Sequence, residues 1–294
     1  MILNSKRWIP YYFLAPSLIL LLIFRIAPIF SALGESLFTI SFTSPSGKEF
    51  IGLGNYIKLF KDPILWQSFK ALLKFSIIVN PLQIISALGL ASLTNQQLRG
   101  IRIFRSIFII PIAIAISVAS VLWGLVLSRS GLLNGILSSI GIPPQPLLTD
   151  AGQAMWCIIF IVTWLGVPYW ALFFLAGLQG ISHEVLESAM VDGARGIQMF
   201  WYITLPLLRR VITFVVVADT IINFVLFVPV YILTSGGPQL ATNFVIYEAY
   251  RRGLIYGDLG ISSAMMVILL LFIGIVVALE FYILRERREK GVFN

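Results

Sequence analysis

The sequence predicts an all-α, polytopic membrane protein with six transmembrane helices, and three observations carry that class. Of the 294 residues, 59% are hydrophobic and only 12% charged, against about a quarter charged in an ordinary soluble domain. The hydrophobic residues come in blocks of about 20, the length a helix needs to cross hydrocarbon. Mean hydropathy is +0.94, and no segment between the blocks is large enough for a soluble domain, so one membrane domain occupies residues 1–294.

The spans follow in order, with ends uncertain by several residues. The first, Tyr12 to Leu33, comes after Lys6 and Arg7. Its apolar run exceeds the roughly 7 to 15 residues of a secretory leader and lacks an A-x-A cleavage site, so it reads as a retained span. Arg25 inside it is costly at membrane depth unless it snorkels or meets an acid, and Glu280 is one candidate partner. Single helices are expected over Leu72 to Leu93, Ile107 to Leu127, Met155 to Leu175 and Val211 to Leu233. The sixth, Ala264 to Leu284, is the plainest: Gly260 to Leu279 carries no charge, and the run stops at "RERREK", Arg285 to Lys290, which suits a headgroup surface.

An even number of spans puts both termini on one side. Placing them in the cytoplasm assigns twelve basic residues to that side and eight to the other or its edges. The bias is modest, but the tight clusters "RGIRIFR", Arg99 to Arg105, and "RERREK" lie directly against span ends, where basic residues orient a membrane protein most strongly. The stretch between spans four and five then faces the cytoplasm. On the outer side, "SPSGKEFIGLGNYIKLFKDP", Ser44 to Pro63, has turn residues followed by an amphipathic run that suits an interfacial helix. Ser130 to Gly152 is rich in Gly, Pro and Ser, and "TSGGPQLATN", Thr234 to Asn243, reads as a turn before a short helix around Tyr247 to Arg252.

Composition also excludes function classes. The net charge of +8 is explained by basic residues at membrane boundaries, so nucleic acid is not an expected partner. One cysteine, Cys157, and one histidine, His183, leave no internal disulfide and no Cys/His metal site. The phosphate-binding pattern G-x-x-x-x-G-K-[ST] is absent: Gly47-Lys48 has Phe42 where the first glycine belongs and Glu49 after it. ATP is therefore handled by no site in this chain.

The loop over residues 180–208 is the most punctuated part of the sequence. Ser182 caps a helix through its side-chain oxygen, and Glu184 in the first turn complements the positive helix end. That helix runs through Glu187, Ser188, Ala189 and Met190, and Gly193 permits a turn that a β-carbon resists. A second helix, about Gly196 to Ile203, is expected to end near Pro206. The run "MFWY", Met199 to Tyr202, is too apolar for a free loop and suits contact with a membrane or a partner protein. An ordinary solvated loop carries similar helix signals; the aromatic run is what argues against one.

The segment "ESAMVDGARGIQMFWYITLP", Glu187 to Pro206, resembles the EAA loop of bacterial ABC importer permeases. Glu187, Ala189, Asp192, Gly193, Ala194, Phe200, Ile203, Leu205 and Pro206 fall on its pattern, while Ser188 replaces the usual alanine. "IGLGNYIKLFKD" (Ile51 to Asp62) and "LTSGGPQLATN" (Leu233 to Asn243) resemble two further segments of the maltose and glycerol-3-phosphate type. The resemblance implies a prokaryotic inner-membrane permease whose loop docks in a cytoplasmic ATPase through Glu184, Glu187, Ser188, Ala189, Asp192 and Gly193. It implies a homologous second permease, two ATPase subunits holding ATP and Mg, and an extracellular or periplasmic solute-binding protein, with no cofactor in this chain.

A solute path should show as polar or aromatic residues at membrane depth. Asp219 and Asn223 lie four apart on one face of span five. Asn80 and Gln83 flank Pro81 in span two, and Trp164, Tyr169 and Trp170 lie near Pro168 in span four. Amides and aromatic faces suit a polyhydroxyl solute, although the same residues also serve interhelical packing. An ATP-independent secondary transporter or channel is the alternative; few deep charges and no paired broken helices argue against it. A membrane enzyme would need a nucleophile with a base or a metal cluster, and no such grouping is present in the sequence.

Overall fold

The computed structural model describes residues 9–40, 47–96 and 100–284. Lys6, Arg7, Arg99 and the tail Arg285 to Lys290, on which much of the orientation argument rests, lie outside the described residues. Helix α1 (Ile9–Leu21) runs through a π-helical turn, Leu22–Ile26, into α2 (Ala27–Glu35). A hairpin of β1 (Phe38–Ile40) and β2 (Lys48–Phe50) precedes α3 (Gly54–Lys61) and α4 (Pro63–Thr94). Then come α5 (Ile101–Ile109), α6 (Ile116–Val126), α7 (Leu132–Ser139), α8 (Ala154–Gln179) and α9 (His183–Val191). Short helices α10 (Ile197–Met199) and α11 (Leu205–Leu207) lead into α12 (Arg209–Phe224), and α13 (Val245–Tyr250) and α14 (Leu259–Leu284) complete the order.

Four described helices are long and apolar enough to cross a bilayer: Tyr11–Glu35, Pro63–Thr94, Ala154–Gln179 and Leu259–Leu284. They correspond to the expected spans one, two, four and six. The expected third span is not one helix, because Ile103–Ala113 and Ile116–Val126 meet at 98°. Pro111 has no backbone N–H to give, and Ile114 and Ala115 are extended, with ψ of 124° and 138°. The expected fifth span is interrupted too. Its 16-residue α12 reaches about 24 Å, short of a roughly 30 Å hydrocarbon core. It stops at a break over residues 225–227, after which a π-helical turn, Val230–Thr234, follows. The expectation that the chain lacks broken helices is thereby corrected: two of its apolar segments are broken.

The chain forms two compact units, Met1–Trp66 with Glu248–Leu271, and Gln67–Tyr247 with Phe272–Asn294. In the first, the antiparallel hairpin pairs Phe38 with Phe50 and Ile40 with Lys48, a small sheet within an otherwise helical chain. The two phenyl rings meet edge to face at 5.3 Å, with the Lys48 ammonium 4.3 Å from the Phe38 ring centroid. Asn55, buried in α3, donates to the carbonyls of Ser36 at 2.8 Å and Phe38 at 2.9 Å, so α3 is pinned by polar contacts as well as by its amphipathic face. Asp62 accepts from the Ile64 N–H at 2.8 Å, capping α4. Arg252 pairs with Asp62 at 2.5 Å and with Glu248 at 2.8 Å. Burial alone would lower the pKa of its guanidinium, but the two carboxylates outweigh that effect and raise it.

In the second unit, Ala87, Leu90 and Ala91 of α4 pack with Trp170, Ala171, Phe174 and Leu178 of α8, joined by Leu208 and Val215. The alanines allow the close backbone approach on which helix pairing in a bilayer depends. Arg105 of α5 donates through both Nε and its terminal nitrogen to the Thr94 carbonyl, satisfying the C-terminus of α4.

Candidate functional site

The second unit gathers most of the expected path residues. Asp219, Thr220 and Asn223 share one side of α12, as their spacing requires, and all three are buried. Asn223 donates to Asn80 at 2.8 Å and to Gln83 at 3.0 Å. Asn80 donates to Thr220 at 3.0 Å, Thr220 donates to Glu280 at 2.7 Å, and Gln83 donates to the Val162 carbonyl at 2.7 Å. Trp170 donates its indole N–H to Asp219 Oδ1 at 2.6 Å. One polar seam therefore links α4, α8, α12 and α14. Glu280 takes part through Oε1, which accepts from Thr220.

A pocket of about 190 Å³ opens on this seam. Gln83, Tyr169, Trp170, Asp219 and Asn223 line it, together with Pro111, Ile112, Ile114 and Ile116 from the bend between α5 and α6. Leu226, from the break after α12, lines it as well. Both unwound segments thus border one cavity, which is where irregular backbone is tolerated at membrane depth. Asn80 belongs to the network behind the wall and does not line the pocket. Trp164 stands apart, packed edge-on against Trp123 at 5.5 Å.

Gly166 of α8 is a site residue that the sequence reading missed. A β-carbon there would lie 2.3 Å from Gln83 Nε2, so its absence is what lets Gln83 reach Val162. Among the described residues, Asp219 is the only carboxylate on the pocket wall, and no lysine, arginine or histidine lines it. Its Oδ2 is buried without a hydrogen-bond partner, as is Oε2 of Glu280. Among the described residues no group of three or more His, Cys, Asp or Glu side chains is gathered for a metal. The chemistry on offer is hydrogen bonding and aromatic contact with a solute.

The second candidate is the projection between α8 and α12. Ser182 caps α9 as expected, accepting from the Val185 N–H at 3.3 Å. Gly193 ends that helix at φ +89°, with its N–H bonded to Met190 and the Ala194 N–H to Ala189, the paired bonds of a left-handed helix cap. No atom lies within 4 Å of a β-carbon built at Gly193, so glycine is required there for conformation and not for space. Glu184, Glu187, Ser188, Asp192 and Gly193 are exposed. Ala189 is buried against its own chain, so of the two small residues only Ser188 is open to an incoming surface.

The second helix ends near Pro206 as expected, one residue past it, but continues beyond Ile203. It runs Ile197–Leu207, because a π-helical turn at Phe200–Thr204 shifts the bonding register ahead of the proline. Val191 is 87% exposed, Ile197 78%, Tyr202 77% and Trp201 58%, an apolar surface unlike that of a solvated loop.

Residues 80–290 match the family described as "Binding-protein-dependent transport system inner membrane component". The chain belongs to this family. The permease is 35% identical over 280 residues, 94% of each chain, to the sn-glycerol-3-phosphate transport system permease protein UgpA of Escherichia coli O157:H7. It is 37% identical over 273 residues, 92% of this chain and 91% of the relative, to the protein of that name from Yersinia pestis bv. Antiqua (strain Antiqua). Its fold matches a chain of a bacterial alginate ABC transporter solved in complex with alginate pentasaccharide-bound periplasmic protein. The TM-score is 0.81 over 98% of both chains, at 24% identity. The permease is a translocation component of an ABC importer and not an enzyme, and the ATP-independent alternative finds no support.

Proposed function

We propose that this permease forms half of the path of an ATP-driven importer for a sugar-like solute: an oligosaccharide, polyol, glycoside or glycerol-3-phosphate. A homologous second permease supplies the other half, two ATPase subunits carry ATP and Mg, and a solute-binding protein delivers the solute from outside. Both termini face the cytoplasm in this reading, which places α9 to α11 on the ATPase side. The first helix supports the permease pairing, since none of the residues in its most apolar stretch is buried within this chain.

The observation that carries the reading is the apolar projection itself, joined without a linker to the pocket wall. Glu187 is placed to meet a basic ATPase residue, and Ser188 to let the surfaces close. Closure of the ATPase displaces the helix Ile197–Leu207. Leu208, buried in the core, passes that displacement to α12, which carries Asp219, Thr220 and Asn223. The break at 225–227 frees the far end of α12 to move, so the wall shifts while the rest of the core stays packed. Gly193→Pro tests the coupling, because proline holds φ near −65° where Gly193 has +89°. The variant should insert and assemble but hydrolyse ATP without uptake; unchanged transport overturns the docking role.

A further inference from the structure

We infer that this half of the path admits a neutral polyhydroxylated solute and rejects one bearing a phosphate or carboxylate, with Asp219 setting the sign. The inference rests on the pocket being part of the solute path, and it narrows the solute class given above. An anionic group leaving water needs a cation or several donors aimed at it, since an uncompensated buried charge costs several kcal/mol or more. The pocket wall supplies neither in strength. Its 14 described residues include no lysine, arginine or histidine, and Arg105, which approaches the same helices, is committed to the Thr94 carbonyl. The Trp170 N–H is taken by Asp219, Gln83 spends one N–H on Val162, and Asn223 spends its two on Asn80 and Gln83.

What remains is one carboxyl acceptor beside neutral donors, the Tyr169 hydroxyl and the second Gln83 N–H. Oδ2 of Asp219 is unpartnered on a residue 1% exposed, and it lies on a wall that also presents the Tyr169 and Trp170 rings. A carboxyl oxygen accepts from a solute hydroxyl, and no cation among the described residues of this wall offsets the desolvation of a phosphate. Aromatic faces suit the C–H surface of a sugar or polyol. The named solutes of the relatives and of the solved transporter, glycerol-3-phosphate and alginate, are both acidic; the wall of this pocket is built for the opposite sign.

The test uses the complete import complex in proteoliposomes, with Cys157→Ser and Ile222→Cys in this chain. Ile222 lines the pocket and is half exposed. Labelling by a cationic methanethiosulfonate ethylammonium is compared with an anionic ethylsulfonate, each scaled to its rate with free cysteine and read on this chain by mass spectrometry. The cation should be favoured by about tenfold, as a cleft of one sign concentrates its counter-ion. Adding Asp219→Asn, which keeps an acceptor for the Trp170 indole, should bring the ratio toward one. A ratio near one or below in the chain that retains Asp219 overturns the inference. ATP-driven uptake of glycerol-3-phosphate or of an oligouronate would overturn it too while leaving the import reading intact. The labelling ratio needs no ATP, so it stands or falls separately from the Gly193→Pro result.

Discussion

Gln83 reaches the Val162 carbonyl only because position 166 carries no side chain. Gly166→Ala places a methyl group where Gln83 Nε2 lies 2.3 Å away, and forcing a packed side chain aside costs about 1–3 kcal/mol. Thermal unfolding of the purified permease should show that loss, and uptake should show a raised KM as the pocket wall shifts. Gly193 calls for a different comparison, because the space around it is open. Asparagine tolerates φ of +89° better than a β-branched residue does, so Gly193→Asn should transport and Gly193→Val should not. At this scale the sequence was informative wherever a residue was costly. Asp219, Asn223 and Gln83 stood out because polar groups at membrane depth demand partners. Gly166 did not, because glycine is ordinary in a membrane helix and its role depends on a residue 83 positions earlier in the chain.

Helix α9 shows how much of an element is written locally. Its Ser182 cap, acidic first turn and glycine terminus were all legible, and each appears in the structure. Ser182→Ala should weaken the helix by about 1 kcal/mol, lowering uptake while membrane insertion stays unchanged in a protease-accessibility assay. The helix after it ends near Pro206 as read, but the π-helical turn ahead of that proline was not legible, because proline alone does not reveal it. The bend at Ile114 and Ala115 was hidden for a related reason. Hydropathy reads the side chains of residues 107–127, all of them apolar or small, and says nothing about which backbone bonds are made. Pro111 was the single sign of the break, and only the pocket that the segment lines explains why lipid never meets its open backbone. The hairpin escaped because three-residue strands fall below any periodic signal.

Across the whole chain, two compact units were not foreseen, because their boundaries fall inside continuous helices. The first is held by a clasp between distant parts of the sequence, Arg252 with Asp62 and Glu248. Arg252→Ala leaves Asp62 without that partner and removes one of the two arginines paired with Glu248. The expected cost is on the order of 2 kcal/mol, less than for a fully buried pair because the Arg252 and Asp62 side chains keep 20% and 19% of their surface in solvent. Arg251→Ala should cost clearly less, and a melting-temperature comparison of the two variants decides it. The helix over Tyr11–Glu35 has a consequence for how the protein is made. A rod with no residue of its most apolar stretch buried inside its own polypeptide is tied to that polypeptide near one end, where Glu35 accepts from Ser263 at 3.2 Å, and leaves its greasy length for something outside the chain to grip. Copies synthesised in excess of a companion subunit would display this rod to quality-control proteases, so cellular abundance should follow the supply of the companion and not the chain's own rate of synthesis.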